Sequence, residues 1–362
     1  DFLTRQIVAA VTEAWNTRAP GGVAAGFGFA RLGHCRRPVY TDGSAQMYGP
    51  TDCDDFVGLE AGEDSGVELL FTCDAAGKPT GVLVNAACPA QGMEATYQLS
   101  SDFAGMARER LNEEFGPRFR MLYLVAAAGC QSPRDLVRNY RTEPDFWHED
   151  GIPVLAERLV SAVRQGLVQR GATDFAPVLR HTVRTSALPV RRVAFARCLQ
   201  ARRELAELEA IQDEKAAFDE FCRVVHANEA IPGRPGPYDD KEMHFVQIQN
   251  RKAEIRRYET QDAEPVYRFD MHTVRIGDTA FTTNPFELYL SFGQIIKARS
   301  RANRTFVVQL SCGSGGYLPS PDAERFGGYG GMVINGKVGS DGGFKLVEEA
   351  VTAIAALFEP EG

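Results

Sequence analysis

Residues 121–136, MLYLVAAAGCQSPRDL, are the stretch from which the rest of the chain can be read. The apolar run from Met121 reads as a buried strand, the small residues after it as a turn, and the segment from Pro133 as the start of a helix. Gly129 permits a backbone conformation or a close approach that other residues resist. Pro133 fixes φ in a way that suits a first helical turn, which would make Ser132 its N-cap. The competing reading is chemical: a strand that ends in a small-residue turn can present a serine hydroxyl to a substrate. The local sequence admits both.

Working outward, strands and helices mix along the whole chain. GGVAAGFGFARLGH (21–34) reads as a strand and turn; its glycine spacing is wrong for a phosphate loop. Leu3, Ile7 and Val11 mark an amphipathic helix before it. Residues 35–58 are loop-like, and VELLFTCDAAGKPTGVLVNAACPA (67–90) is a hairpin turning at DAAGKPT. SSDFAGMARERLNEEFG (100–116) is a helix ending at Gly116. A helix is expected over 152–169, a strand over 178–193, and one long helix or two over 194–229, broken by the prolines of IPGRPGPYDDKE (231–242). MHFVQIQ (243–249) and TFVVQLSCGSGG (305–316) read as strands, and EPVYRFDMHTVRIGDTAFTTNP (264–285) as a hairpin about Gly277-Asp278. ELYLSFGQIIKARSR (287–301) reads as a helix beginning at Glu287, and LVEEAVTAIAALF (346–358) as a closing helix. The expectation is a single layered mixed α/β (α+β) domain over residues 1–362, with a helical excursion around 195–236.

Forty Lys and Arg against 48 Asp and Glu give a net charge of −8, and the Arg clusters RRELAELEAIQDEK and QNRKAEIRRYE are interleaved with acids as on solvated helix faces. No nucleic-acid partner is expected. No apolar stretch reaches the roughly 18 residues of a membrane span, and the first residues carry charges where a signal peptide needs an apolar core. Eight cysteines without a C-x-x-C pair read as reduced thiols, mostly buried, which points to a cytoplasmic setting; oligomeric state is not indicated. The chain opens without Met, so either a trimmed terminus or a protein continuing upstream is expected.

Chemistry is expected where strands end. Four apolar runs lead into small or polar turns, and they bring Cys88, Ser132, Glu287 and Tyr317 to comparable positions. Such a set could supply metal ligands and a nucleophile. Cys130 could be a thiol nucleophile, although no histidine can be assigned as its base. His34 reads as a loop histidine, and Trp147, His148 and Glu149 as a helix-start turn.

In their order and spacing, GHCRRPVY, VNAACPAQGMEATYQLSSDFAGMARERL, YLVAAAGCQSPRD, FTTNPFELYLSFGQIIKARS and GGYLPSPDAERFGGYGG together resemble the neutral/alkaline, non-lysosomal ceramidase family. The similarity covers most of the chain and is least diagnostic around 200–236. It implies the layered catalytic domain of that family, here without its C-terminal immunoglobulin-like domain. In that family zinc is held by two His, a Glu and a Tyr, beside a Ser in a Gly-Asp-x-Ser-Pro motif. The resemblance puts Ser132 at the catalytic serine, Glu287 and Tyr317 at the carboxylate and tyrosine ligands, Arg36 at a substrate-site arginine, and Tyr329 at a tyrosine that stabilises the transition state. The family's first metal His lies upstream of the opening helix, and the six histidines here (34, 148, 181, 226, 244, 272) form no H-x-H. Cys88-Pro89 stands where a His-Pro is expected, Cys130 and Arg134 replace the Asp and the following Asn of the serine motif, and Cys35 replaces the Asn before Arg36.

A catalytic zinc needs about three protein ligands and an open position, and then acts as a Lewis acid on a carbonyl. Cys88 is either a softer third ligand or a small buried residue. The function implied is zinc-dependent hydrolysis of an amide or ester in an N-acyl or lipid-like small molecule. The alternatives are a non-catalytic family member that acts as a binding or scaffold protein, and a fragment with exposed apolar surface.

Overall fold

The computed structural model describes residues 1–94, 98–137, 149–229 and 243–360. Trp147, His148 and the proline-rich 231–242 lie outside these residues. Helix α1 (Phe2–Asn16) is followed by strands β1 (Gly21–Phe29), β2 (His34–Cys35), β3 (Pro38–Tyr40), β4 (Phe56–Leu59), β5 (Gly66–Asp74) and β6 (Pro79–Ala86). Then come α2 (Asp102–Phe115), β7 (Arg120–Val125), β8 (Gln131–Ser132), α3 (Gly151–Gln169) and β9 (Leu179–Pro189). Helices α4 (Phe195–Ile211), α5 (Glu214–Glu229) and α6 (His244–Thr260) precede β10 (Val266–Ile276), β11 (Thr279–Thr283) and β12 (Phe286–Leu288). The described chain ends with α7 (Leu290–Arg299), β13 (Arg304–Val308), β14 (Gly316–Leu318), α8 (Pro321–Phe326) and α9 (Ser340–Leu357).

Two four-stranded mixed sheets, ordered β1-β5-β6-β7 and β13-β11-β10-β9, form the centre. In each, one neighbouring pair is parallel, β6 with β7 and β11 with β13, and the rest are antiparallel. One core packs α2 and α3 on the first sheet around Leu69, Phe71, Val84, Phe103 and Leu159. A second packs α7 and α9 on the other sheet around Met271, Phe292, Leu346 and Ile354. Leu70, Phe281 and Phe306 join the sheets face to face. The layers therefore run helix, sheet, sheet, helix, so the layered mixed α/β expectation holds, and a fold of this kind gathers strand ends along one edge. Asn85 stitches the two sheets at depth: its amide donates to Leu124 and Val307 carbonyls, and its oxygen accepts the Val307 N–H.

Three readings need correction. MHFVQIQ is not a strand. His244 opens α6, and the helix-forming run NRKAEIRRYE after it carries the helical conformation back through the short apolar segment. Glu287 does not begin a helix; it lies in β12, and α7 starts three residues later. Ser132 is no N-cap of a helix at Pro133, because residues 133–137 form turns and bends and Ser132 belongs to β8. Helix α1 forms as expected, with Phe2, Leu3, Ile7, Val11 and Trp15 all exposed.

Candidate active site

Ser132 is positioned by a two-residue antiparallel ladder. Strand β8 pairs with β2, placing His34 opposite Ser132 and Cys35 opposite Gln131, and the Arg36 N–H donates to the Cys130 carbonyl. Arg36 thus leaves the ladder next to the serine, 96 residues away in sequence. A second pairing brings the other two residues in. Strands β12 and β14 run parallel with Glu287 directly opposite Tyr317, so both side chains leave the same face and the Tyr317 phenol acts to lower the Glu287 carboxyl.

Gly129 joins these two units. A Cβ there would lie 2.3 Å from the Glu287 carbonyl oxygen, while the Gly129 N–H donates 2.8 Å to Leu288. Only glycine allows the serine turn to lie this close to β12. Gln309, with no sequence signal of its own, fixes the same junction: its side-chain oxygen accepts from both Ala128 N–H and Leu288 N–H at 3.1 Å.

Arg36 is the hub, at 3% exposure. One terminal nitrogen donates to the Gly129 carbonyl and the Tyr317 hydroxyl, each at 3.1 Å, and lies 4.0 Å from Glu287; the other donates to Tyr48 and Gln91 at 3.3 Å. Burial opposes the charge, but Tyr48, Tyr317 and Glu287 outweigh burial and hold the guanidinium pKa above its ordinary value. Burial raises the Glu287 carboxyl, against the pull of Tyr317 and Arg36. The Tyr317 phenol is likewise pushed up by burial.

The Ser132 hydroxyl lies 3.2 Å from Tyr48 Oη and accepts the Arg134 N–H two residues on. Tyr48 also reaches Glu94 at 3.0 Å. Burial pushes its phenol up to about 12, with Arg36 pulling it down and Glu94 raising it. The sequence reading missed Tyr48, Gln91 and Glu94. No local sequence signal singles them out; in the folded chain Tyr48 sits at φ 56, a region that non-glycine residues rarely adopt.

Tyr329 packs edge-on against Tyr317, ring centroids 5.5 Å apart, on a glycine-rich loop held from beneath by Arg37, which donates to the carbonyls of Gly327 and Tyr329. Consecutive arginines therefore serve opposite sides, Arg36 facing the site and Arg37 its supporting loop. Ser132 itself has no exposed surface, and the site opens through the partly exposed Glu287 and Tyr329. A cavity of about 810 Å³ lies elsewhere, beside β1 and α3, lined by Phe29, Arg31, Arg110 and Glu157.

Cys88 does not join this group. Its thiol donates to the Leu32 and Pro89 carbonyls, burial raises it well above its ordinary range, and the charge beside it is Asp102. It packs in the core under α2 and α3, whereas Glu287 and Tyr317 meet Arg36. Cys88, Glu287 and Tyr317 therefore do not form a zinc donor set, and the guanidinium beside the Glu287–Tyr317 pair already supplies a cation. No group of three His, Cys, Asp or Glu suited to a metal occurs among the described residues. The donors present do not fit zinc, and no step is derived through it. Cys130 is no better a nucleophile: it is buried, its thiol is raised chiefly by desolvation, and the Gln131 amide donates to it. His34 is not in a loop but in β2, with its ring 2.8 Å from Glu63 rather than on Ser132.

No helix among the described residues is long and apolar enough to cross a membrane. No family model matches the chain, and no curated protein does. Solved structures do, among them two ceramidases. Neutral ceramidase from Pseudomonas aeruginosa aligns with TM-score 0.59 and 16% identity, over 98% of this chain and 56% of that one. A ceramidase complexed with C2 aligns with TM-score 0.56 and 13% identity, over 93% and 54%. The chain therefore spans a little over half the length of these structures. At such identity the likeness is one of architecture: this protein has a ceramidase-like fold.

Proposed function

We propose that this chain is a hydrolase that cleaves an amide, or an ester, of an N-acyl or lipid-like small molecule, with Ser132 as the nucleophile. One observation carries the reading: Ser132, Arg36 and Tyr317, far apart in sequence, meet in one hydrogen-bonded network through Tyr48, with Glu287 4.0 Å from Arg36, on a ceramidase-like fold. Attack by the serine oxygen would place negative charge on the substrate carbonyl oxygen. Arg36 is a preorganised donor for it, with Tyr317 beside it and Tyr329 at the rim. Burial favours the protonated form of Glu287, the form able to give a proton to a departing nitrogen.

A second reading, a binding protein without turnover, draws support from the complete burial of Ser132. The two separate in a turnover assay with N-acyl amides and acyl esters of graded chain length, run on wild type and Ser132→Ala. Hydrolysis abolished by the substitution supports the hydrolase. Saturable binding without product, equal in both proteins, supports the binding protein.

A further inference from the structure

We infer that Tyr48 and Glu94 form a proton relay for Ser132, the phenol accepting the serine proton while passing its own to the carboxylate. The inference rests on the reading of Ser132 as nucleophile. The relay supplies a base for Ser132: His34, opposite it on the ladder, turns its ring to Glu63, and the neighbouring Cys130 is a buried thiol.

The distances put a relay within reach of Ser132. Among the described residues, Tyr48 Oη lies 3.3 Å from Arg36 Nη1, 3.0 Å from Glu94 Oε1 and 3.2 Å from Ser132 Oγ. A phenol has one proton to give, and its oxygen can accept from others. Arg36 can only donate, and the Tyr48 hydroxyl is placed to donate to either Ser132 or Glu94. Ser132 Oγ also accepts the Arg134 N–H. With its proton turned to Glu94, Tyr48 Oη is open to the Ser132 proton. The backbone supports a functional purpose: Tyr48 is held at φ 56 by its N–H bond to the Arg36 carbonyl, a strained conformation of the kind that persists where a side chain must be aimed.

The step balances. As the Ser132 oxygen bonds to the acyl carbon, the carbonyl π pair moves onto oxygen and the serine O–H breaks. That proton goes to Tyr48 Oη, and the phenol's own proton goes to Glu94, which ends as a neutral acid. Tyr48 remains a phenol throughout, in keeping with burial that disfavours the phenolate. As the intermediate collapses, Glu287 gives its proton to the leaving nitrogen or oxygen; when water then attacks the acyl group and gives its proton to Glu287, the departing Ser132 oxygen recovers its own from Tyr48, which takes the one held by Glu94.

The test uses a fluorophosphonate, which phosphonylates an activated serine with loss of fluoride. Labelling rate and site are read by intact mass and peptide mapping for wild type, Tyr48→Phe, Glu94→Gln and the double variant, with thermal midpoints as a folding check. The relay predicts labelling of Ser132 in wild type and a drop of about a hundredfold or more in Tyr48→Phe, the usual scale of a lost general base. It also predicts that the double variant is no slower than Tyr48→Phe, because members of one series do not contribute additively. A merely structural contact would change the midpoint and leave the labelling of folded protein intact. Equal labelling of Ser132 in wild type and Tyr48→Phe overturns the relay while the nucleophile reading stands. No labelling of Ser132 in wild type overturns that reading and the relay with it.

Discussion

Replacing Arg37 by Met removes a cation with no exposed surface and leaves Glu60, 1% exposed, without the partner 2.7 Å away. Breaking a buried pair by deleting one member costs about 3–5 kcal/mol, because the remaining charge is uncompensated. Unfolding entropy near 2.1 cal/mol/K per residue over this chain means about 0.8 kcal/mol per degree, so the thermal midpoint should fall by roughly 4–6 °C at pH 8. The loss should depend on pH in a definite direction. Burial already raises the Glu60 carboxyl in the folded state, and Arg37 is what pulls it back. Without Arg37 the folded carboxyl rises further above its unfolded value, so the penalty is full above that raised value and shrinks as falling pH protonates and neutralises Glu60. Midpoints measured by scanning fluorimetry at pH 8 and pH 5.5 should therefore converge towards wild type at the lower pH. Arg37→Met combined with Glu60→Met should recover most of the loss at both, since an apolar pair of similar volume needs no desolvation. A shift under about 1 °C, or one that grows as pH falls, would refute the assignment of Glu60 as the stranded charge.

Two further outcomes follow from the same geometry. Gly129→Ala should destabilise by about 1–3 kcal/mol, because the new methyl meets the Glu287 backbone rather than a flexible side chain; chemical denaturation read by fluorescence would check it, and an unchanged midpoint would deny the close approach. Alkylation of native protein with iodoacetamide, followed by mass mapping, should modify the exposed Cys312 well before Cys88, Cys35 or Cys130, whose thiols burial holds protonated.

Most of the architecture could be read from residue pattern, because long periodic segments decide their own conformation. The hairpin turning at 74–79, the helix ending at Gly116 and the strand from Arg120 lie where apolar spacing and turn residues put them. The failures are short segments whose conformation neighbours impose. His244–Gln249 alternates like a strand but is carried into α6, and Glu287 reads as helical until its pairing with β14 is known. The site was legible only in part, for a similar reason. Resemblance brought forward Ser132, Arg36, Glu287, Tyr317 and Tyr329, which the structure gathers together. It also brought forward Cys88, because a ligand's position in a motif says nothing of where its side chain turns once α2 and α3 cover it. Tyr48 and Glu94 carry no local signature: their link to Ser132 spans 84 residues in one step and 46 in the next, and only the folded chain closes it.

The most direct measurement of the central claim is a search for an acyl-enzyme. Wild type and Ser132→Ala would be mixed with a p-nitrophenyl acyl ester, quenched in acid within the first turnover and examined by intact mass and peptide mapping. The account predicts an acyl adduct on the peptide carrying Ser132 in wild type, formed as nitrophenol is released, and none in the variant. Nitrophenol released at equal rates by both proteins, or no acyl transfer from any chain length, would contradict it.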